Sequence, residues 1–130
     1  MKKQKKLFID YTDEEIEKYR QAFIKNTLRR ASYRWPYRNL AAVAARVGRG
    51  IYKCADCGKI STNKEKKLDH INPVVDPLVG FVNWDVYAKR MLPSIKGWQV
   101  LCKMCHDEKT KAEREIRKET RRRNKNAKEK

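Results

Sequence analysis

Negative charge is scarce in this chain: 16 aspartates and glutamates stand against 33 lysines and arginines, a formal net charge of +17 over 130 residues. So one-sided a balance on a small surface points to a polyanionic partner, nucleic acid first, rather than to a merely solvated exterior. Histidine is scarcer still, with two copies, and cysteine stops at four. Apolar residues make up 40% of the chain, so the buried core is small and is expected to need a staple. No apolar run approaches a membrane span, and Leu7-Phe8-Ile9 is cut off by Asp10, too short for a signal peptide. The expectation is one small domain with arms, in the reducing cytoplasm, where cysteines bind metal rather than pair as disulfides.

What is present is patterned. Residues 1–11 are basic and expected to be disordered. Thr12 and Glu15 read as a capping box, and Ile16, Tyr19, Phe23, Thr27 and Ala31 then recur at helical spacing, interleaved with arginines. Pro36 is expected to stop or kink this basic amphipathic helix. A second helix is expected from about Asn39 through Val47, with Gly48 as its C-terminal cap. Ile51-Tyr52-Lys53 and Lys67 to Ile71 read as strands, with 59–66 a turn. Asn83 or Asp85 is placed to cap a short helix over Trp84–Leu92, ended by Pro93. Trp98 to Leu101 is a further strand, and a polar helix is expected from Asp107 to about Glu119, ahead of a basic tail.

The cysteines form two matched pairs, Cys54-x2-Cys57 and Cys102-x2-Cys105, with 44 residues between them. Four thiolates complete a tetrahedral zinc site with no open position, so the role expected of the zinc is structural. Gly58 suits the tight turn that aims the first two sulfurs at one point. His106 directly follows the second pair and is left free for other chemistry.

Between the pairs lies Lys67-Leu68-Asp69-His70-Ile71-Asn72-Pro73-Val74, an odd composition for a packing element. On an extended strand Asp69 and His70 point to opposite faces, so one can hold a metal while the other faces a substrate. Both histidines of the chain thus fall at positions suited to chemistry.

With Cys54-x2-Cys57, Asp69-His70-Ile71-Asn72-Pro73-Val74 and Gln99-Val100-Leu101-Cys102-Lys103-Met104-Cys105-His106-Asp107-Glu108-Lys109-Thr110 in view, the chain resembles the HNH endonucleases. These are the ββα-metal nucleases, here in a four-cysteine zinc form. Tyr33-Arg34-Trp35-Pro36 and the Trp84-containing insertion also resemble small HNH proteins of bacteriophages. The resemblance implies two antiparallel strands and a helix around one divalent cation. It makes His70 the general base, Asp69 and His106 the ligands of a catalytic Mg²⁺ or Mn²⁺, and Cys54, Cys57, Cys102 and Cys105 the structural zinc ligands. Lys109 and Thr110, one helical turn past His106, are candidates to touch a phosphate or the metal's surroundings. Gly97 stands nine residues ahead of His106, where family members usually carry an asparagine that braces the base. A glycine supplies an unusual backbone angle but no amide; Asn72 and Asn83 are the candidates to replace it.

The expectation is therefore an α+β fold: a basic N-terminal helical arm over residues 1–50, a zinc-stapled core over 51–112, and a basic C-terminal helix or tail over 113–130. Its expected function is metal-dependent cleavage of double-stranded DNA, with low sequence specificity or targeting by a partner such as a phage packaging or replication protein. If phage-encoded, it would act in the host cytoplasm. The alternatives are a zinc-stapled DNA-binding module without catalysis and a structural basic protein. Oligomeric state, target sequence, and nicking against double-strand cleavage are left open.

Overall fold

A computed structural model of the chain describes residues 2–128. It is a small α+β protein with, among the described residues, four α-helices and two antiparallel sheets. It exposes 10564 Å², where a compact chain of this mass exposes roughly 7,200 Å². The excess reflects helices that project beyond a thin core.

Helix α1 (Asp13–Ser32) starts at the expected capping box: the Thr12 side chain accepts from the Glu15 N–H while Glu15 accepts from the Thr12 N–H. The segment before it is more ordered than expected. Phe8–Asp10 form a 3-10 turn, and the Phe8 ring lies 5.0 Å from Tyr19 and 5.3 Å from Tyr11. Aromatic packing therefore outweighs the local charge there. Position 1 lies outside the described residues.

Helix α2 (Pro36–Ala45) begins earlier than Asn39 because Pro36 occupies its first turn, where a fixed φ and a missing N–H cost nothing. It also ends earlier. Arg46–Gly48 form strand β1, not a helix end, and pair across the Arg49-Gly50 turn with β2 (Ile51–Lys53). Gly50 has φ +69°, the left-handed conformation that glycine tolerates. The segment expected to be only a turn holds β3 (Ile60–Thr62), which completes the order β1-β2-β3.

The second sheet positions the chemistry. Strand β4 (Lys67–His70) pairs with β5 (Trp98–Leu101), placing Asp69 opposite Gln99 and His70 opposite Trp98. Between them runs α3 (Trp84–Met91), capped by the Asn83 side chain, which accepts from the Val86 N–H. Alternation on β5 divides the core into two sides. Leu101 clusters with Cys54, Cys102 and Cys105 on one side. Trp98 and Val100 are buried on the other, where α2 covers β5.

Helix α4 (Lys103–Lys128) starts immediately after Cys102 and continues well past Glu119, so the expected tail is helical through position 128. Ion pairs one turn apart, Lys109–Glu113 and Arg122–Glu119 among them, support a helix with little apolar face. Positions 129 and 130 lie outside the described residues. No helix among the described residues is long and apolar enough to cross a membrane.

Candidate functional site

The four cysteines converge. Their sulfurs all lie within 4.8 Å of one another, and Cys57 Sγ stands 3.7 Å from Cys102 Sγ. Sulfurs at the corners of a zinc tetrahedron are about 3.8 Å apart for bonds of about 2.3 Å, so this set is positioned to bind a metal ion. Local backbone builds the site. Gly58, at φ +76°, closes the first knuckle with its N–H on the Cys54 carbonyl. The Ala55 N–H then ties that knuckle to the Val100 carbonyl of β5 at 2.8 Å. The N–H groups of Lys59 and Cys105 point at sulfurs of Cys57 and Cys102, both at 3.5 Å. Burial opposes ionisation of Cys54, but backbone N–H donors at Cys102, Cys57 and Asp56 outweigh it and lower the thiol to about 6. Cys105 is pushed up instead, chiefly because its thiol donates to the sulfurs of Cys102 and Cys57. Four close thiols with backbone N–H groups aimed at their sulfurs are a donor set in which a soft cation replaces protons.

Next to this clamp, Asp69 faces α4. Gln99 Nε2 donates to its Oδ2 at 2.9 Å, and Lys109 Nζ sits 3.0 Å from the same oxygen. The other oxygen, Oδ1, faces His106 Nε2 at 4.0 Å. His106 is placed by the first turn of α4, its N–H bonded to the Cys102 carbonyl at 3.0 Å. Its Nδ1 faces the Asp107 carboxylate at 3.8 Å. One carboxylate oxygen and one imidazole nitrogen thus face each other at 4.0 Å, apart from the four-cysteine cluster.

His70 turns the other way, as alternation along the strand requires. Its ring packs on Trp98 with centroids 4.1 Å apart, and its Nε2 lies 2.8 Å from the carbonyl oxygen of Met91, the last residue of α3. A carbonyl only accepts, so Nε2 carries the proton and the neutral ring keeps its lone pair on Nδ1. Burial lowers the His70 pKa below the ordinary histidine value. The Met91 carbonyl and the Asp69 charge oppose the shift, while the charges of Lys109 and Arg29 add to it. Burial therefore favours the neutral form of the imidazole.

Although they face opposite ways, Asp69 and His70 line the same open cleft of about 890 Å³, because β4 ends at His70. His106, Lys109 and Thr110 of α4 line it too, as do Lys25 and Arg29 of α1 and Arg38 of α2. Lys109, a candidate to touch a phosphate or the metal's surroundings, contacts Asp69 itself. All three donors of its ammonium are used inside the protein, on Asp69, on Glu113 at 2.8 Å and on the His70 carbonyl at 2.9 Å. Burial works against that charge, yet the Glu113 and Asp69 carboxylates outweigh it and hold the lysine above its ordinary value. Lys109 is a strut between α4 and β4.

Gly97 is also not what the sequence suggested. Its φ is not in the left-handed region. A Cβ at this position would fall on the Pro93 ring, so the requirement is space. Neither proposed substitute reaches His70: Asn83 is committed to capping α3 and Asn72 is exposed. The Met91 carbonyl and Gln99 carry parts that sequence reasoning missed. Only the β4–β5 register and the end of α3 bring them in. Glu113, four residues after Lys109, was legible as a helical neighbour.

Comparison of the chain with protein-family models, curated proteins and solved structures finds no match.

Proposed function

We propose that the chain is a metal-dependent endonuclease of the HNH kind, hydrolysing phosphodiester bonds of double-stranded DNA around a structural zinc held by the four cysteines. The observation that carries this reading is the juxtaposition, in one basic cleft, of the Asp69–His106 pair and a neutral imidazole held at Nε2 by Met91. Asp69 and His106 would hold the Mg²⁺ or Mn²⁺, which would supply stabilisation of negative charge on the phosphate and on the departing 3′ oxygen.

The remaining work falls to the chain's own side chains. His70 Nδ1 takes a proton from the attacking water as the new O–P bond forms and the P–O3′ bond breaks. Met91 keeps the imidazole in the tautomer that can do so. Gln99 and Lys109 hold one Asp69 oxygen, leaving the other for the cation. Lys25 and Arg29 on the cleft wall add salt-sensitive affinity for the DNA backbone.

One observation favours the reading without catalysis: the Lys109 ammonium already neutralises Asp69 in part. Supercoiled plasmid incubated with zinc-loaded protein and Mg²⁺ or Mn²⁺ separates the two. Relaxed or linear product supports the nuclease. DNA that shifts on a gel yet stays uncut across metals and pH supports a zinc-stapled binding module.

A further inference from the structure

The cleft extends past His70 to a pair of cations that the reaction just described does not use. The Arg38 guanidinium lies 4.9 Å over the Tyr33 ring and 6.0 Å from the Trp98 ring, the same indole that packs on His70. Lys66, one residue ahead of β4, lies 4.6 Å over the Tyr52 ring and donates to the Asn63 side chain at 2.6 Å. Both line the cleft that holds Asp69, His70 and His106. Among the described residues neither forms an ion pair, whereas Lys6, Lys18, Arg20, Lys109, Lys118, Arg122 and Arg123 all do.

Aromatic faces orient these cations without neutralising them. Burial, and then the nearby Arg38 charge, hold the Lys66 ammonium below its ordinary value, and burial lowers Arg38 too. Two half-buried like charges, close enough to act on each other, leave a repulsion that the folded chain does not relieve. An anion between them would relieve it through charge-assisted hydrogen bonds.

We propose that Arg38 and Lys66 form a phosphate subsite for a DNA backbone phosphate flanking the one at Asp69, His70 and His106. The assignment to DNA rests on the nuclease reading. The Trp98 ring packs on the His70 imidazole and has the Arg38 guanidinium 6.0 Å from its centre, and Lys66 lines the same cleft, so a strand lying along the cleft at His70 has this pair beside it. The subsite sets the register of the strand and does no chemistry.

The test is equilibrium binding of a fluorescent duplex to zinc-loaded protein without added Mg²⁺ or Mn²⁺, followed from 50 to 200 mM KCl, so that it is independent of cleavage. Lys66→Met, Arg38→Gln and the double variant are compared with Lys89→Met, an exposed lysine of α3 outside the cleft. If both cations hold one phosphate, the double variant loses about 0.9 from the log–log salt slope. Each single variant then loses most of that amount, so the two effects do not add. Slopes no different from that of Lys89→Met, or strictly additive losses, overturn the subsite. Arg38→Gln also disturbs the stack on Tyr33 and Trp98; if it fails to fold, Lys66→Met carries the test alone against Lys89→Met. In a second arm, inorganic phosphate is titrated into wild-type protein. Saturable sub-millimolar binding that Lys66→Met abolishes would mark a free-phosphate site and overturn the assignment to DNA. A shifted slope in a protein that never cuts sinks the nuclease reading alone, and cutting without a shifted slope sinks the subsite alone.

Discussion

His70 gives its Nε2 proton to the carbonyl oxygen of Met91, 2.8 Å away, at the C-terminal end of α3. The last carbonyls of a helix have no partner within it, and Pro93, two residues on, has no N–H to offer. The same short stretch shapes its surroundings: the Pro93 carbonyl accepts from Trp35 Nε1 at 2.7 Å, and its ring fills the space beside Gly97. A main-chain oxygen thus orients the imidazole from one side while Pro93 keeps any side chain off position 97.

Introducing the asparagine that the HNH resemblance leads one to expect should therefore harm the protein. Gly97→Asn is expected to lower unfolding free energy by about 1–3 kcal/mol through overpacking against Pro93, read from the urea midpoint. Pro93→Gly in the same chain should recover part of the loss, because the two positions share one contact. A Gly97→Asn protein as stable as wild type would contradict the steric account.

Lys109 joins Asp69, Glu113 and the His70 carbonyl. Lys109→Met leaves a largely buried carboxylate with Gln99 as its remaining close donor and is expected to cost on the order of 2 kcal/mol. Chemical denaturation measures it. An unchanged midpoint would show that the strut contributes nothing.

Metal removal should undo the fold. Zinc binding on the order of 10 kcal/mol exceeds what so small a core supplies. Wild type is expected to carry one zinc per chain, and Cys54→Ser, or a strong chelator, should abolish both the metal and the cooperative thermal transition. A cooperatively folded, metal-free Cys54→Ser chain contradicts the clamp.

At the other end, hydrogen bonds from Lys6 and from the Thr12 N–H hold the Glu15 carboxylate below its usual range. A depressed folded-state value means stability present above the unfolded glutamate value and lost as pH falls through the folded one. The first turn of α1 should therefore fray as pH falls below the usual glutamate range, seen as lost amide-exchange protection at Glu15. Glu15→Gln should give faster exchange at neutral pH. Exchange there that is indifferent to both pH and substitution would count against the capping box.

What could be read from the sequence followed local chemistry. The capping box at Thr12, the paired cysteine spacing and the strands around Asp69 and Trp98 are set by neighbours within a few residues. The misses arose where strand pairing or distant parts of the chain decide. Arg46–Gly48 reads as a helix end until Gly50 turns it onto Ile51. Residues 59–66 look polar because β3 has one side in water, with Ser61 alone buried. The Met91 carbonyl has no side-chain signature, so no motif could name it. The pairing of Lys109 with Asp69 and the His70 carbonyl could not be read, because those partners lie some 40 positions away.

The most direct measurement of the central claim is the rate at which zinc-loaded protein nicks supercoiled plasmid in Mg²⁺ or Mn²⁺, wild type against His70→Ala, with zinc content and DNA affinity shown to be equal. Removing a general base costs about 10²- to 10⁴-fold, so the account requires the substituted protein to be slower by at least about a hundredfold. Equal rates for the two proteins, or no cleavage by wild type, would contradict it.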